Sequence, residues 1–89
     1  MYNFLHDHIP SLSDFHNPED IRFVFEFPNG YGASVIKNKF SYGNQKGLWE
    51  LAILDKHGNI CFDTPISNGV MGYLKEEEIS GILYKIHDL

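Results

Sequence analysis

The chain has 89 residues and a formal net charge of −5, and 43% of its residues are hydrophobic and 15% aromatic. This length fits one small domain, and the aromatic content argues against a disordered chain. The single cysteine, Cys61, excludes an intramolecular disulfide framework. No apolar run reaches the ~18 residues of a membrane span, and the N-terminus lacks a secretory leader pattern. We therefore expect a cytoplasmic protein that makes no membrane contact.

Residues 1–20 are predicted to form an irregular N-terminal arm, and residues 21–89 a single domain. The arm contains Pro10, Pro18 and several turn-forming residues, which favour local turns over a long regular element. Its apolar side chains indicate that it lies against the domain. The arm also contains four acidic residues and no Lys or Arg: Asp7, Asp14, Glu19 and Asp20.

Four strands are predicted from residue 21 onward. Residues 21–27 alternate strictly and place one face in the core: Ile21, Phe23, Phe25 and Phe27. Asn29–Gly30 favours a tight turn, after which residues 32–37 return as the second strand. Residues 48–54 are apolar on both faces except at Glu50, which is typical of a central strand. Residues 60–64 form the predicted fourth strand, which Pro65 ends.

The C-terminal segment changes to a helical period. Its apolar residues lie on one helical face: Ile79, Ile82, Leu83, Ile86 and Leu89. The spacing predicts a helix over residues 75–88, in which Gly81 would allow a close approach to the sheet. The predicted fold is α+β: an antiparallel meander of about four strands with one C-terminal amphipathic helix packed on one face.

Candidate catalytic and metal-binding residues all have simpler structural explanations. His6, His8 and His16 could approach a metal ion, but solvated histidines on a polar arm are the favoured explanation. Cys61 lies in a predicted strand, where a buried and inert thiol is common, although its alternation also leaves partial exposure open. Glu50 either faces water or pairs across the sheet. We therefore expect no catalytic site, no metal and no cofactor.

The middle of the chain is the basic part of the molecule, and aromatic residues are interspersed with its lysines. Such a pattern is typical of a protein-interaction loop with aromatic anchors and a lysine rim, and also of a platform for single-stranded nucleic acid. The acidic remainder of the chain favours protein recognition. The predicted contact residues are Tyr31, Lys37, Lys39, Phe40, Tyr42 and Lys46, with Trp49 and Glu50 in support.

Several short segments resemble small proteins encoded by bacteriophages and prophages. The segments are residues 30–35 (GYGASV), 41–43 (SYG), 47–52 (GLWELA) and 61–66 (CFDTPI), and the resemblance covers roughly residues 29–89. It implies a phage or prophage context in a bacterial host cell, and it implies no activity or catalytic residue.

The sequence therefore predicts a non-enzymatic accessory protein that binds a host or phage protein and modulates or inhibits it. Two alternatives remain open: binding of single-stranded nucleic acid through residues 31–46, and mimicry of DNA by the acidic side chains. A homodimer formed through a sheet edge or an exposed sheet face also remains open.

Overall fold

The computed structural model describes residues 2–17, 20–38, 47–66 and 70–89, with only the backbone described at 16 and 17. The described residues contain a sheet of five antiparallel strands in chain order, and two helices. The elements are α1 (Phe4–Asp7), β1 (Leu12–Asn17), β2 (Asp20–Glu26), β3 (Gly32–Lys37), β4 (Trp49–Leu54), β5 (Val70–Leu74) and α2 (Glu76–His87). The predicted α+β meander with a C-terminal helix is confirmed, with five strands where about four were expected.

The strict alternation of β2 fixes which face of the sheet becomes the core. Ile21, Phe23 and Phe25 are buried, whereas Arg22 and Glu26 on the opposite face are exposed. The register continues this division across the sheet, because Phe23 pairs with Val35 and Val35 pairs with Leu51. We call this buried side the inner face and the opposite side the open face.

Both helices pack on the inner face. Ile79, Leu83 and Ile86 of α2 are completely buried, as the helical spacing predicted. The Lys75 amide at the start of α2 donates a hydrogen bond to Glu78 Oε1 at 3.0 Å, which supports the first turn. The expected close approach at Gly81 is wrong, because a Cβ atom there would meet nothing within 4 Å.

The described part of residues 1–20 contains more regular structure than the irregular arm that was predicted. Phe4 of α1 is completely buried, and its ring lies 5.4 Å from the Trp49 ring and 5.8 Å from the Phe23 ring, centroid to centroid. Residues 12–17 form the edge strand β1, in which Leu12 pairs with Val24 and Phe15 with Ile21. Two physical causes organise this segment: burial of a large aromatic ring and hydrogen bonding to the exposed edge of β2.

The predicted fourth strand, residues 60–64, is wrong. Its pairing with β4 is limited to a bridge between Leu54 and Ile60 and a hydrogen bond from the Cys61 amide to the Ile53 carbonyl at 2.7 Å. β3 occupies one edge of β4, and β5 pairs with most of the other edge, from Trp49 to Ala52. Only the end of that edge is left for residues 60 and 61.

A single asparagine joins the β2–β3 turn to the end of α2. Asn29 Nδ2 donates hydrogen bonds to the carbonyls of Ile86 at 2.8 Å and His87 at 2.9 Å. The Tyr31 amide in turn donates to Asn29 Oδ1 at 3.0 Å. Gly30 adopts φ +93°, which allows the tight turn to form. The turn therefore satisfies helix carbonyls that have no partner within the helix.

Candidate interaction surface

The open face of the sheet carries a row of apolar side chains that only Ser34 interrupts. The register places Leu12, Val24, Ser34, Ala52 and Val70 in one row from β1 to β5. Within the described residues both helices pack on the inner face, so no described element covers this row. Exposed apolar area of this kind commonly marks a site of protein interaction.

A shallow groove runs over β3 and β4 on the open face. Ser34 and Ala52 are cross-strand partners, and because their side chains are small the surface is depressed at the middle of the row. Ile36, Leu54 and other larger side chains also line the groove, which has a volume of about 300 Å³. The complete lining is Arg22, Ser34, Ile36, Glu50, Ala52, Leu54, Gly58, Ile60 and Val70. The groove is large enough to accept an apolar side chain from a partner.

Charged side chains lie beside the apolar row. The register places Asp14, Arg22, Ile36 and Glu50 in a second row across β1 to β4. Asp20 and Glu26 on β2 belong to the same face, so the described part of this face carries four acidic residues and one basic residue. An apolar centre with a charged rim is the ordinary anatomy of a protein interface, and the acidic excess favours a partner with basic residues around its apolar patch.

A second concavity lies between the β2–β3 turn and the turn after β4. It has a volume of about 400 Å³ and is lined by Asn29, Gly30, Tyr31, Asp55, Lys56, Cys61 and Asp63. Asp55 has a structural role, because its Oδ1 accepts hydrogen bonds from the amides of His57 at 2.8 Å and Asn59 at 3.1 Å. These hydrogen bonds stabilise the carboxylate and lower the pKa of Asp55.

Cys61 is held in a form that disfavours nucleophilic chemistry. Its side chain is buried, whereas its neighbours Ile60 and Phe62 are exposed. The thiol Sγ donates a hydrogen bond to Asp63 Oδ1 at 3.0 Å, and this contact raises the pKa of Cys61. Because the thiolate is the reactive species, the arrangement keeps the thiol protonated near neutral pH. The burial agrees with the buried position that the strand pattern favoured over partial exposure.

The structure separates two of the predicted contact residues. Tyr31 is half-buried beside the second concavity, immediately before β3. Lys37 ends β3, and its Nζ lies 5.1 Å from the centroid of the Trp49 ring on the inner face. The two residues are therefore about 20 Å apart, given a rise of about 3.3 Å per residue. They do not form one patch with each other.

The other predicted contact residues have three different outcomes. Lys39, Phe40, Tyr42 and Lys46 lie outside the described residues. Trp49 is only 1% exposed and packs in the core, so its ring is not available to a partner. Glu50 is half-buried on the open face beside the groove, where it remains a candidate contact residue.

Most of the open-face residues were missed by the sequence interpretation, although a signal for them was present. β4 is apolar on both sides, which predicted a central strand but also implied a second apolar face. Val24 and Ile36 carry the same signal, because each follows a residue that points into the core. Read together, these positions predict an apolar patch on the face opposite the phenylalanines.

The described histidines do not meet at a metal-binding geometry. His6 is exposed, while His8 is only 7% exposed and packs against the Tyr84 ring at 4.6 Å. In the part of the chain that the structure describes, no group of three or more His, Cys, Asp or Glu side chains is arranged to hold a metal ion.

The chain matches no protein-family model, no curated protein and no solved structure. Among the described helices, none is long and apolar enough to cross a bilayer.

Proposed function

We propose that this chain is a non-enzymatic phage or prophage accessory protein of the bacterial cytoplasm. It binds a host or phage protein through the open face of its sheet and modulates or inhibits that protein. The observation that carries the proposal is the uncovered apolar row with its groove and charged rim. The resemblance of residues 29–89 to small phage-encoded proteins supplies the biological context.

The charges favour a protein over a nucleic acid. The chain has a net charge of −5, and Arg22 is the basic residue on the open face among the described residues. Lys37, which the nucleic-acid alternative requires, lies over the Trp49 ring. Two of the glutamates that a DNA mimic would use already face backbone donors: Glu78 Oε1 accepts from the Lys75 amide, and Glu76 Oε2 lies 3.5 Å from the Asn3 amide.

Charge favours a foreign protein over a second copy of the chain. Two copies would bring together two acidic rims, each containing Asp14, Glu26 and Glu50. A partner with an apolar patch and a basic rim avoids this repulsion.

The test is affinity capture from host extract with three versions of the protein. The wild type should retain a partner, and Ile36→Lys should lose it, because the new ammonium group would be buried against the partner's apolar patch. Ile9→Lys is the matched control, because Ile9 is 91% exposed and lies outside the groove. Circular dichroism and thermal melting establish that each variant is folded.

Each outcome of the capture is informative. Loss of the partner with folded Ile36→Lys and retention with Ile9→Lys support the proposal. Equal capture by the wild type and folded Ile36→Lys removes the open face from it. Recovery of the chain as a stable dimer through this face would replace the foreign partner with a second copy.

A further inference from the structure

We infer that the free edge of β1 accepts a basic, extended peptide segment of another protein, which adds to the sheet as a sixth strand. This surface is distinct from the groove on the open face. The inference rests on three independent features of β1: its position in the sheet, its exposed apolar side chains and the charge of its surroundings.

The position of β1 leaves a row of backbone groups available. β1 is the terminal strand of the sheet and pairs only with β2 in the described chain. Alternate amides and carbonyls of an edge strand point away from its neighbour, and an extended peptide can bind them at a spacing of about 4.8 Å. The bulge between Phe15 and Asn17 interrupts the ladder, so the regular part of the edge runs from Leu12 to Phe15.

Apolar side chains lie on both faces of β1. Leu12 is on the open face opposite Val24 and is 44% exposed, and Phe15 is on the inner face opposite Ile21 and is 59% exposed. Phe15 remains exposed because α2 packs over β3 and β4 and does not extend across β1. An added strand would place its own alternating side chains next to both residues. These contacts supply the apolar burial that hydrogen bonds to a solvated edge do not supply by themselves.

The charge near the edge selects the kind of peptide. Asp14 lies in β1 itself. Arg22 lies opposite Asp14 and balances part of this charge, but Asp20 at the start of β2 leaves the β1–β2 ribbon acidic. A second copy that added β1 to β1 would bring like charges together. A peptide with alternating Lys or Arg and apolar residues fits both the charge and the exposed side chains.

The experiment is an NMR titration of the isotope-labelled protein with the hexapeptide Lys-Val-Lys-Val-Lys-Val. We expect the largest amide shifts, and slower amide hydrogen exchange, at residues 12–15. A Glu-Val counterpart should bind at least roughly fivefold more weakly because its charge is reversed. A fully N-methylated Lys-Val peptide keeps the charge but cannot form the ladder, and it should produce no protection at β1.

Two charge variants provide the matched test. Asp14→Lys should weaken binding of the Lys-Val peptide by roughly fivefold and strengthen binding of the Glu-Val peptide. Glu77→Lys makes the same charge change at an exposed position on α2 and should leave both affinities almost unchanged. If the lysine of Asp14→Lys beside Arg22 prevents folding, Asp14→Asn replaces it in the test. Asp14→Asn removes the charge without reversing it and should weaken Lys-Val binding to a smaller extent.

Three results would overturn the inference: shifts centred on Ile36 and Leu54, equal affinity for the two peptides, or equal β1 protection by the N-methylated peptide. The result also separates this inference from the proposed function. Ile36→Lys should abolish partner capture and leave peptide binding at β1 intact. Asp14 also belongs to the charged rim of the open face, so Asp14→Lys is used only in the peptide titration, and Ile36→Lys distinguishes failure of one surface from failure of the other.

Discussion

His8 places an imidazole in an aromatic environment between α1, β2 and α2. Its ring lies 4.6 Å from Tyr84 and 6.3 Å from Phe25, centroid to centroid. Nε2 is buried and has no hydrogen-bond partner among the described atoms. Burial lowers the pKa of His8, and the charge of His87 acts in the same direction. The Asp7 carboxylate and a hydrogen bond with the Ser80 backbone oppose this shift without cancelling it.

The lowered pKa predicts that acid destabilises the fold through His8. Below a pH of about 6.5, His8 binds a proton in the unfolded chain more readily than in the folded chain. The free energy of unfolding therefore falls as pH decreases. Chemical denaturation between pH 7.5 and 5.5 measures the slope. His8→Gln should reduce the slope relative to the wild type, and His6→Gln, at an exposed position, should not. An unchanged slope in His8→Gln would show that other groups cause the pH dependence.

Two glycines should respond to alanine in opposite directions. A Cβ atom on Gly32 would lie 2.5 Å from the Phe25 carbonyl oxygen, so Gly32→Ala should destabilise the protein by about 1–3 kcal/mol. Gly81 has open space around a new Cβ atom and lies within α2, so Gly81→Ala should stabilise the protein by up to about 1 kcal/mol. Urea denaturation tests both substitutions. If Gly32→Ala left the free energy of unfolding unchanged, β2 and β3 would be able to move apart without loss of stability, which would contradict the prediction.

At the scale of secondary structure, Asn29 connects the β2–β3 turn to the C-terminal end of α2. Asn29→Ala removes the hydrogen bonds to the carbonyls of Ile86 and His87 and should lower the free energy of unfolding by about 1–3 kcal/mol. Asn59→Ala is the control, because Asn59 is an exposed asparagine in another turn. Equal effects of the two substitutions, measured by thermal melting, would contradict this role for Asn29.

The sequence correctly predicted those elements whose residues themselves carry a clear periodic pattern or turn. β2, β3 and α2 have a clear period or a recognisable turn, and each is found within one or two residues of its predicted bounds. β5 has no such signal, because Gly72 interrupts it and Tyr73 adopts φ +57°. Residues 60–64 contain better strand formers, yet β5 pairs with most of the β4 edge. Competition for one edge depends on tertiary packing, which a local pattern does not contain.

The candidate site was predicted less well for a related reason. Lys37 and Tyr31 are close in sequence, but an extended strand places them at opposite ends, and the core draws Trp49 inward. A contact surface on a sheet is built from residues of several strands at one register. Ile36 and Ala52 become neighbours of Glu50 and Ser34 only after β3 and β4 pair.

At the scale of the whole molecule, both helices cover one face of the sheet, whereas no element among the described residues covers the apolar row of the other face. Leu51 and Leu54 lie on the same strand but on different faces of the sheet. Leu51 is completely buried on the inner face, and Leu54 is half-buried beside the groove on the open face. Leu51→Ala should lower the free energy of unfolding by about 2–5 kcal/mol. Leu54→Ala should cost about 1 kcal/mol or less, and should weaken partner capture instead.

Urea denaturation and the capture assay together provide the measurement for this pair. Similar stability losses for the two variants would mean that the open face is covered in the isolated protein. That result would count against a contact surface for a foreign protein on this side of the sheet.

The burial of Phe4 makes the integrity of the fold depend on the segment that precedes β1. Phe4 is completely enclosed beside Trp49 and Phe23, although only a four-residue helical turn carries it. Proteolytic removal of this turn would therefore leave a void where the aromatic ring had been, and would expose the tryptophan to water.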